Sequence, residues 1–186
     1  MTQIVTMPIH QEIGAAASDF RLPMHNGNIS TLKGLLEGKR GGVIVFWSGI
    51  CSHCTRYDRY LNSFADRHPE LGLLVIAARK GETQDQIRKT MKERDLSFPI
   101  AFDSSGLVAR EWSTQQTPRV FLIGSNGILL YRGAIDNYKY PDDIEFAAYL
   151  EPAINQFLSG NPLSRTETAS FGCAINSVYY NFPKAL

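Results

Sequence analysis

The segment Val43-Ile44-Val45-Phe46-Trp47-Ser48-Gly49-Ile50-Cys51-Ser52-His53-Cys54 changes character twice. Its first part, Val43 to Trp47, is an apolar, largely β-branched run that reads as a buried strand. Ser48-Gly49 breaks the run, and two cysteines follow with two residues between them. From Thr55 to Arg67, Tyr57, Tyr60, Leu61 and Phe64 recur at helical spacing, with Arg56, Asp58, Arg59 and Asn62 on the other side. That pattern predicts a helix. Cys51 is therefore expected where a strand ends and a helix begins. The unpaired amides and positive dipole end of a helix favour an anion there, lower a thiol's pKa and populate the nucleophilic thiolate.

The whole chain suits a single globular domain. Its 186 residues suffice for one domain with a real core. Hydrophobic residues make up 44% and charged residues 20%, a globular rather than a disordered balance. Nineteen basic against eighteen acidic residues, a formal net charge of +1, argue for neither nucleic acid nor a membrane surface. No run approaches the ~18 apolar residues of a membrane span. Met1 to Gly14 holds Pro8, His10, Gln11 and Glu12 and has no apolar core, unlike a secretory signal peptide. The chain as written is thus expected in the cytoplasm, or in the periplasm if a leader has been removed. Three cysteines are too few, and odd in number, for a disulfide scaffold; they suggest a redox pair plus one extra thiol.

Around the central segment the elements fall in a regular order. Asn26-Gly27-Asn28 predicts a hairpin turn between Phe20–Leu22 and Ile29–Ser30. Ser30 or Thr31 caps a short helix from Leu32 to Leu36, ended by Gly38. Leu71 to Ala78 is a second apolar run, and a helix between two such runs reads as a βαβ unit with a parallel sheet. Thr83 to Arg94 is a polar helix with Ile87 and Met91 turned inward, Phe98 to Phe102 a short strand, and Ser104 or Ser105 the cap of a helix to Trp112. Arg119 to Ile123 and Ile128 to Gly133 flank the hairpin turn Ser125-Asn126-Gly127. Pro141-Asp142-Asp143 predicts the start of a last helix with Ile144, Ala147, Ala148, Ile154 and Phe157 inward, stopped at Gly160-Asn161-Pro162. The tail beyond has no helical period and ends in aromatic residues, among them Phe171, Tyr179, Tyr180 and Phe182. The loose segment Met1 to Gln11 has no period either.

The strand, Phe46-Trp47, Cys51-x-x-Cys54 and the following helix together resemble the active site of the thioredoxin superfamily, and Thr117-Pro118 resembles its cis-proline loop. From roughly Ile13 to Leu158 the order of elements is similar to thiol–disulfide oxidoreductases of the TlpA/ResA and redoxin (AhpC/TSA-related) type. A helix–strand insertion before Thr117-Pro118, which thioredoxin lacks, points to that branch. The resemblance implies an α/β, thioredoxin-like fold, a central mixed β-sheet flanked by helices, with an N-terminal hairpin and that insertion. Residues 1–12 would form an N-terminal arm, 13–160 the domain, and 161–186 a C-terminal tail packed on it or extending from it.

The same resemblance assigns roles. Cys51 attacks a substrate disulfide, and Cys54, one helical turn on and more buried, resolves the mixed disulfide. Half of a zinc site is the alternative, but only Cys173 and scattered histidines remain as ligands, without paired spacing, so no metal is expected. Ser52 and His53 lie between the cysteines, where the superfamily tunes its potential, and His53 resembles an oxidising DsbA-type centre; otherwise it is a solvent-facing turn residue. A Cys51 pKa of roughly 4 to 7 and a potential on the order of −130 to −250 mV follow. Pro118 is expected to be cis and to face the disulfide, so that the backbone meets an extended substrate strand beside Cys51; the alternative is a trans proline opening an edge strand. Trp47 is expected to pack beside the site. Val45 stands where thioredoxin has a buried proton-transferring aspartate. Glu82, in Lys80-Gly81-Glu82-Thr83, resembles a ResA-type glutamate that takes the proton from Cys54, unless it merely favours a helix dipole. Cys173, in Phe171-Gly172-Cys173-Ala174-Ile175, resembles a tail motif of some redoxin proteins. It either folds back near the site or is an inert small hydrophobe, and the inert role is expected.

The expected activity is thiol–disulfide exchange with protein disulfides or thiols, linked to an upstream electron donor or acceptor. It needs no cofactor beyond the Cys51–Cys54 pair, no nucleic acid and no membrane span, and suits a monomer or weak dimer. A peroxiredoxin-like peroxidase using Cys51 on hydroperoxides is the alternative. Ser48 falls three before Cys51 as that pattern asks, but Ile44 holds the proline's place and Pro118 falls near the arginine's, with Arg119 beside it. A redox-dead binding module is the third reading, opposed by the intact cysteine pair.

Overall fold

The computed structural model describes residues 11–139 and 145–176. The expectations for the N-terminal arm up to His10, for Pro141 to Ile144, and for Tyr179, Tyr180 and Phe182 lie outside these residues.

The chain enters through the hairpin of β1 (Arg21–Pro23) and β2 (Ile29–Thr31). Its turn uses Gly27 at φ +86°, a conformation glycine adopts without steric cost, and the Asn26 side chain accepts from the Asn28 amide at 3.0 Å. Thr31 then caps α1 (Leu32–Leu36), accepting from the Gly34 amide at 3.0 Å. Next comes β3 (Gly41–Trp47), buried at every position. After it the path is helical in three short pieces, α2 (Ser52–Thr55), α3 (Asp58–Asn62) and α4 (Phe64–Arg67), and leads to β4 (Leu71–Ala77). The α5 helix (Gln84–Glu93) opens with a capping box between Thr83 and Gln86. Then follow β5 (Ile100–Phe102), α6 (Leu107–Glu111), β6 (Gln116–Thr117), β7 (Arg119–Gly124), β8 (Leu129–Gly133), α7 (Leu150–Leu158) and β9 (Cys173–Ala174).

The main sheet runs β5-β4-β3-β7-β8, with β3, β4 and β5 parallel and β7 and β8 antiparallel. A strand in the middle of a sheet covered on both faces has no solvent side, hence the unbroken apolar run of β3. Its alternate residues serve two cores. Val43, Val45 and Trp47 join the cluster holding Cys51, Cys54, Tyr57, Leu61 and Phe64. Ile44 and Phe46 join Trp112 and Phe121 on the other face.

Three expectations change in detail. The helix from Thr55 to Arg67 is interrupted at Tyr57 and again at Ser63, whose hydroxyl donates back to the Arg59 and Tyr60 carbonyls at 3.1 and 3.3 Å and competes with the ladder. Of its predicted inward residues, Tyr57, Leu61 and Phe64 are buried, and Tyr60 is half-buried against the same cluster. The cap of α6 is Gly106, at φ +67°, rather than Ser104 or Ser105; the buried Asp103 carboxylate accepts from the Ala109 amide at 2.8 Å and Ser105 from the Leu107 amide at 3.3 Å. The last helix begins at Leu150, so Ala147 and Ala148 are not helical. Asn137 captures that segment: its side chain accepts from the Ala147 amide at 2.8 Å and donates to the Glu145 carbonyl at 2.5 Å, and the Tyr149 amide donates to Ile135 at 3.0 Å. Amides so engaged are not free to start a helix.

Candidate active site

Cys51 follows the turn that ends β3 and is the N-cap of α2. Its amide donates to the Ser48 carbonyl at 3.2 Å, and its own carbonyl accepts from the Cys54 and Thr55 amides at 2.9 and 3.2 Å. Both sulfurs are free thiols, and both residues are 0% exposed. Their acidities diverge. The Cys54 thiol holds Cys51 down to about 4 against the opposing effect of burial, with the Cys173 thiol, the Thr117 side chain and the Cys173 backbone adding to the effect. Burial, then the neighbouring Cys51, push Cys54 well above the ordinary thiol range. One sulfur is kept ionised and its neighbour protonated, the division that nucleophilic attack followed by resolution requires.

Opposite Cys51 stands Thr117, whose carbonyl accepts from the Cys51 sulfur at 3.3 Å. The Thr117–Pro118 peptide is cis. Along Gln116–Thr117 lies the protein's own tail: β6 pairs antiparallel with β9, Thr117 against Cys173. The tail approaches closely because Gly172 has no side chain; a Cβ there would stand 1.9 Å from the Thr117 oxygen. Beyond Cys173, the Ile175 amide donates to Gln115 at 2.9 Å and its carbonyl accepts from Lys80 at 3.0 Å. Before it, Arg132 pairs with Glu167 at 2.9 Å and Thr168 accepts from the Ala134 amide at 2.9 Å. Cys173 is half-buried rather than enclosed. It lies opposite Thr117, whose carbonyl meets the Cys51 sulfur, and its thiol lowers the pKa of Cys51.

The other residues singled out by sequence surround this centre unevenly. Trp47 is fully buried in the same cluster as both cysteines, its ring edge-on to Phe98 at 6.0 Å. Ser52 is exposed. His53 turns its ring to Phe171, centroids 5.0 Å apart at 86°, and its Nδ1 lies 3.5 Å from Arg56. Glu82 reaches in behind the turn, close enough that a Cβ on Gly49 would stand 2.7 Å from its Oε1. Burial pushes its carboxyl above the usual range, partly offset by the Ser48 hydroxyl and the Gly49 and Ile50 amides. Neither oxygen closes a hydrogen bond of ordinary geometry. Sequence reasoning missed Arg94, which donates to the Gly49 carbonyl at 2.8 Å and to Asp58 at 2.5 and 2.7 Å, under the Trp47 ring. Nothing in the local pattern of a polar helix marks that arginine.

Beside Pro118 a cavity of about 430 Å³ opens between Tyr57, Asp136, Tyr138 and Phe171. Arg56 lies over the Tyr138 ring at 3.4 Å, and the Tyr57 hydroxyl donates to Asp136 at 2.6 Å. Arg119 belongs to the opposite face, its guanidinium 5.7 Å from the centre of the Phe121 ring.

The AhpC/TSA family profile matches residues 13–132. The chain is similar to the "Thiol-disulfide oxidoreductase ResA" of Bacillus thuringiensis subsp. konkukian (strain 97-27), 31% identical over 116 residues, covering 62% of this chain and 66% of that protein. The chain thus spans slightly less than two thirds of the length of such curated relatives. Among solved structures, a hypothetical protein from Sinorhizobium meliloti 1021 superposes with a TM-score of 0.79 at 26% identity, covering 88% of this chain and 93% of that one. A putative thiol:disulfide interchange protein DsbE from Chlorobium tepidum superposes with a TM-score of 0.63 at 26% identity, covering 79% and 98%.

Proposed function

The chain belongs to the AhpC/TSA family, and from that premise we propose that it is a thiol–disulfide oxidoreductase acting on protein disulfides or thiols. The observation that carries this reading is the placement of two buried thiols at the start of α2, with the Thr117 carbonyl 3.3 Å from the Cys51 sulfur and the cis Thr117–Pro118 peptide beside it; their opposed acidities, Cys51 lowered and Cys54 raised, fit it. In the reducing direction, a Cys51 thiolate attacks one sulfur of the substrate disulfide; the S–S bond breaks and one substrate thiolate leaves. Cys54 gives up its proton and attacks the Cys51 sulfur. The second substrate thiolate leaves, and the Cys51–Cys54 disulfide closes with two electrons transferred. Glu82, whose acidity burial moves toward working pH, is the proton acceptor of this scheme. The thiol pair is the only redox group it needs. The cavity between Pro118 and Tyr138 suits the residues flanking a substrate cysteine. An oxidising compartment outside the cytoplasm, where protein disulfides persist, suits the activity.

A peroxidase would need a cation against the peroxide bound at Cys51, and Arg119 faces the other core. Insulin reduction measured beside hydrogen peroxide consumption tests the choice. The expected result is turnover of insulin that Cys51→Ser abolishes, with peroxide consumed no faster than by free thiols. Peroxide consumption without insulin reduction would overturn the reading.

A further inference from the structure

The tail carries the third cysteine to the one place where an extended substrate would meet Cys51. Strand addition along Gln116–Thr117 is how such a substrate would bind, by main-chain pairing with its own cysteine beside the nucleophile. That edge is already paired, and the residue opposite Thr117 is Cys173. The approach is built in from both sides: Gly172 leaves room for the Thr117 oxygen, and Ile175 is bonded to Gln115 on one flank and Lys80 on the other. Of the three thiols, Cys51 and Cys54 are closed to solvent and Cys173 is partly open.

We propose that Cys173 is a shuttle thiol: it takes up the disulfide from the partner protein and passes it to Cys51, so that Cys51 pairs with Cys173 as well as with Cys54. This rests on the oxidoreductase reading above and extends it by placing one exchange before the Cys51 step. The Cys173 thiolate attacks the partner disulfide, forming a mixed disulfide and releasing one partner thiolate. Cys51 thiolate attacks the Cys173 sulfur, the bond to the partner breaks, and the second partner thiolate leaves. Cys54 loses its proton and attacks the Cys51 sulfur, returning Cys173 as a thiolate. Two electrons pass from the Cys51–Cys54 dithiol to the partner, and Cys173 ends as it began. Burial, then the ionised Cys51, push the Cys173 thiol above its ordinary range, and Arg79 offsets them only in part; when Cys51 is tied up in a disulfide its share of that effect ends, which suits Cys173 as the leaving group of the last exchange.

The test is oxidation with glutathione disulfide followed by peptide mapping under non-reducing conditions. In Cys54→Ser the expected product is a Cys51–Cys173 disulfide; a glutathione adduct on Cys51 with Cys173 free would overturn the proposal. In Cys173→Ser the closing of the Cys51–Cys54 disulfide should slow by about tenfold or more. An unchanged rate would overturn the shuttle, and a faster one would make the tail a mere cover. A near-UV circular dichroism spectrum and thermal transition of Cys173→Ser matching the wild type verify that the variant is folded. Gly172→Ala in the Cys54→Ser background should suppress the Cys51–Cys173 link by lifting the tail. If the wild type itself never forms Cys51–Cys54, the oxidoreductase reading fails; if it does while Cys51 and Cys173 never join, only the shuttle fails.

Discussion

Thr117 acts on Cys51 in two opposite senses. Its carbonyl accepts from the sulfur at 3.3 Å and so favours the protonated thiol, while its side chain, whose hydroxyl donates to the Cys173 carbonyl at 3.5 Å, lowers the thiol's pKa. Thr117→Val removes the second effect, together with the hydroxyl's bond to Cys173, and keeps the carbonyl. Thiolate absorbance of the wild type should titrate near pH 4, and in the variant the midpoint should rise by up to roughly one pH unit. An unmoved midpoint would assign the stabilisation to the thiols alone.

The same acidity sets a pH dependence of stability. Cys51 is depressed from an ordinary value of 9.0 to about 4, so between those values the unfolded chain holds a proton that the folded one does not. Stability of the reduced protein should therefore rise with pH across that window, and this contribution should fade as pH falls through about 4. Cys54 is raised, so it adds no slope there. Urea unfolding of the reduced wild type beside Cys51→Ala at several pH values checks this, since the variant should lose the slope.

Glu82 is half-buried, with both carboxyl oxygens shielded from solvent and lacking an ordinary hydrogen bond. Glu82→Gln removes a titrating group without changing shape, so thermal stability should be equal or higher while exchange at neutral pH slows by about tenfold or more. The decisive readout is the rate-against-pH profile, which should lose the limb belonging to a raised carboxyl. A profile identical to wild type would leave Glu82 a packing residue.

Arg94 ties the Cys51 turn to the helical segment behind it through Gly49 and Asp58. Both side chains of the ion pair are about four-fifths buried. Arg94→Met should cost about 2 kcal/mol or more, because Asp58 is left buried and unpaired, and adding Asp58→Asn should recover most of that loss. A double variant no better than the single one would mean that the Gly49 contact dominates.

The parts legible in the sequence were those whose cause is local. The apolar run Val43 to Trp47, the Asn-Gly turns at 26–27 and 126–127, and the polar stretch from Thr83 to Arg94 each carry their own signal, and all appear as strand, turns and helix. The structure also sets Cys51 and Cys54 side by side, Thr117 opposite them and Trp47 in their core. What escaped depends on distant residues. The start of α7 is decided by Asn137, ten residues before the alanine amide it captures. Arg94 meets Asp58 across 36 residues. The tail strand is two residues long and meets its partner 56 residues away, too short to show a period; the one local hint was the glycine before Cys173.

The exclusion of both sulfurs from solvent has a chemical corollary. Conversion of a thiolate to sulfenic, sulfinic and sulfonic acid follows its ionisation and its accessibility together. Cys51 has the first without the second, so stray oxidants should find little to burn, and the dithiol can wait in its reduced state until a partner docks.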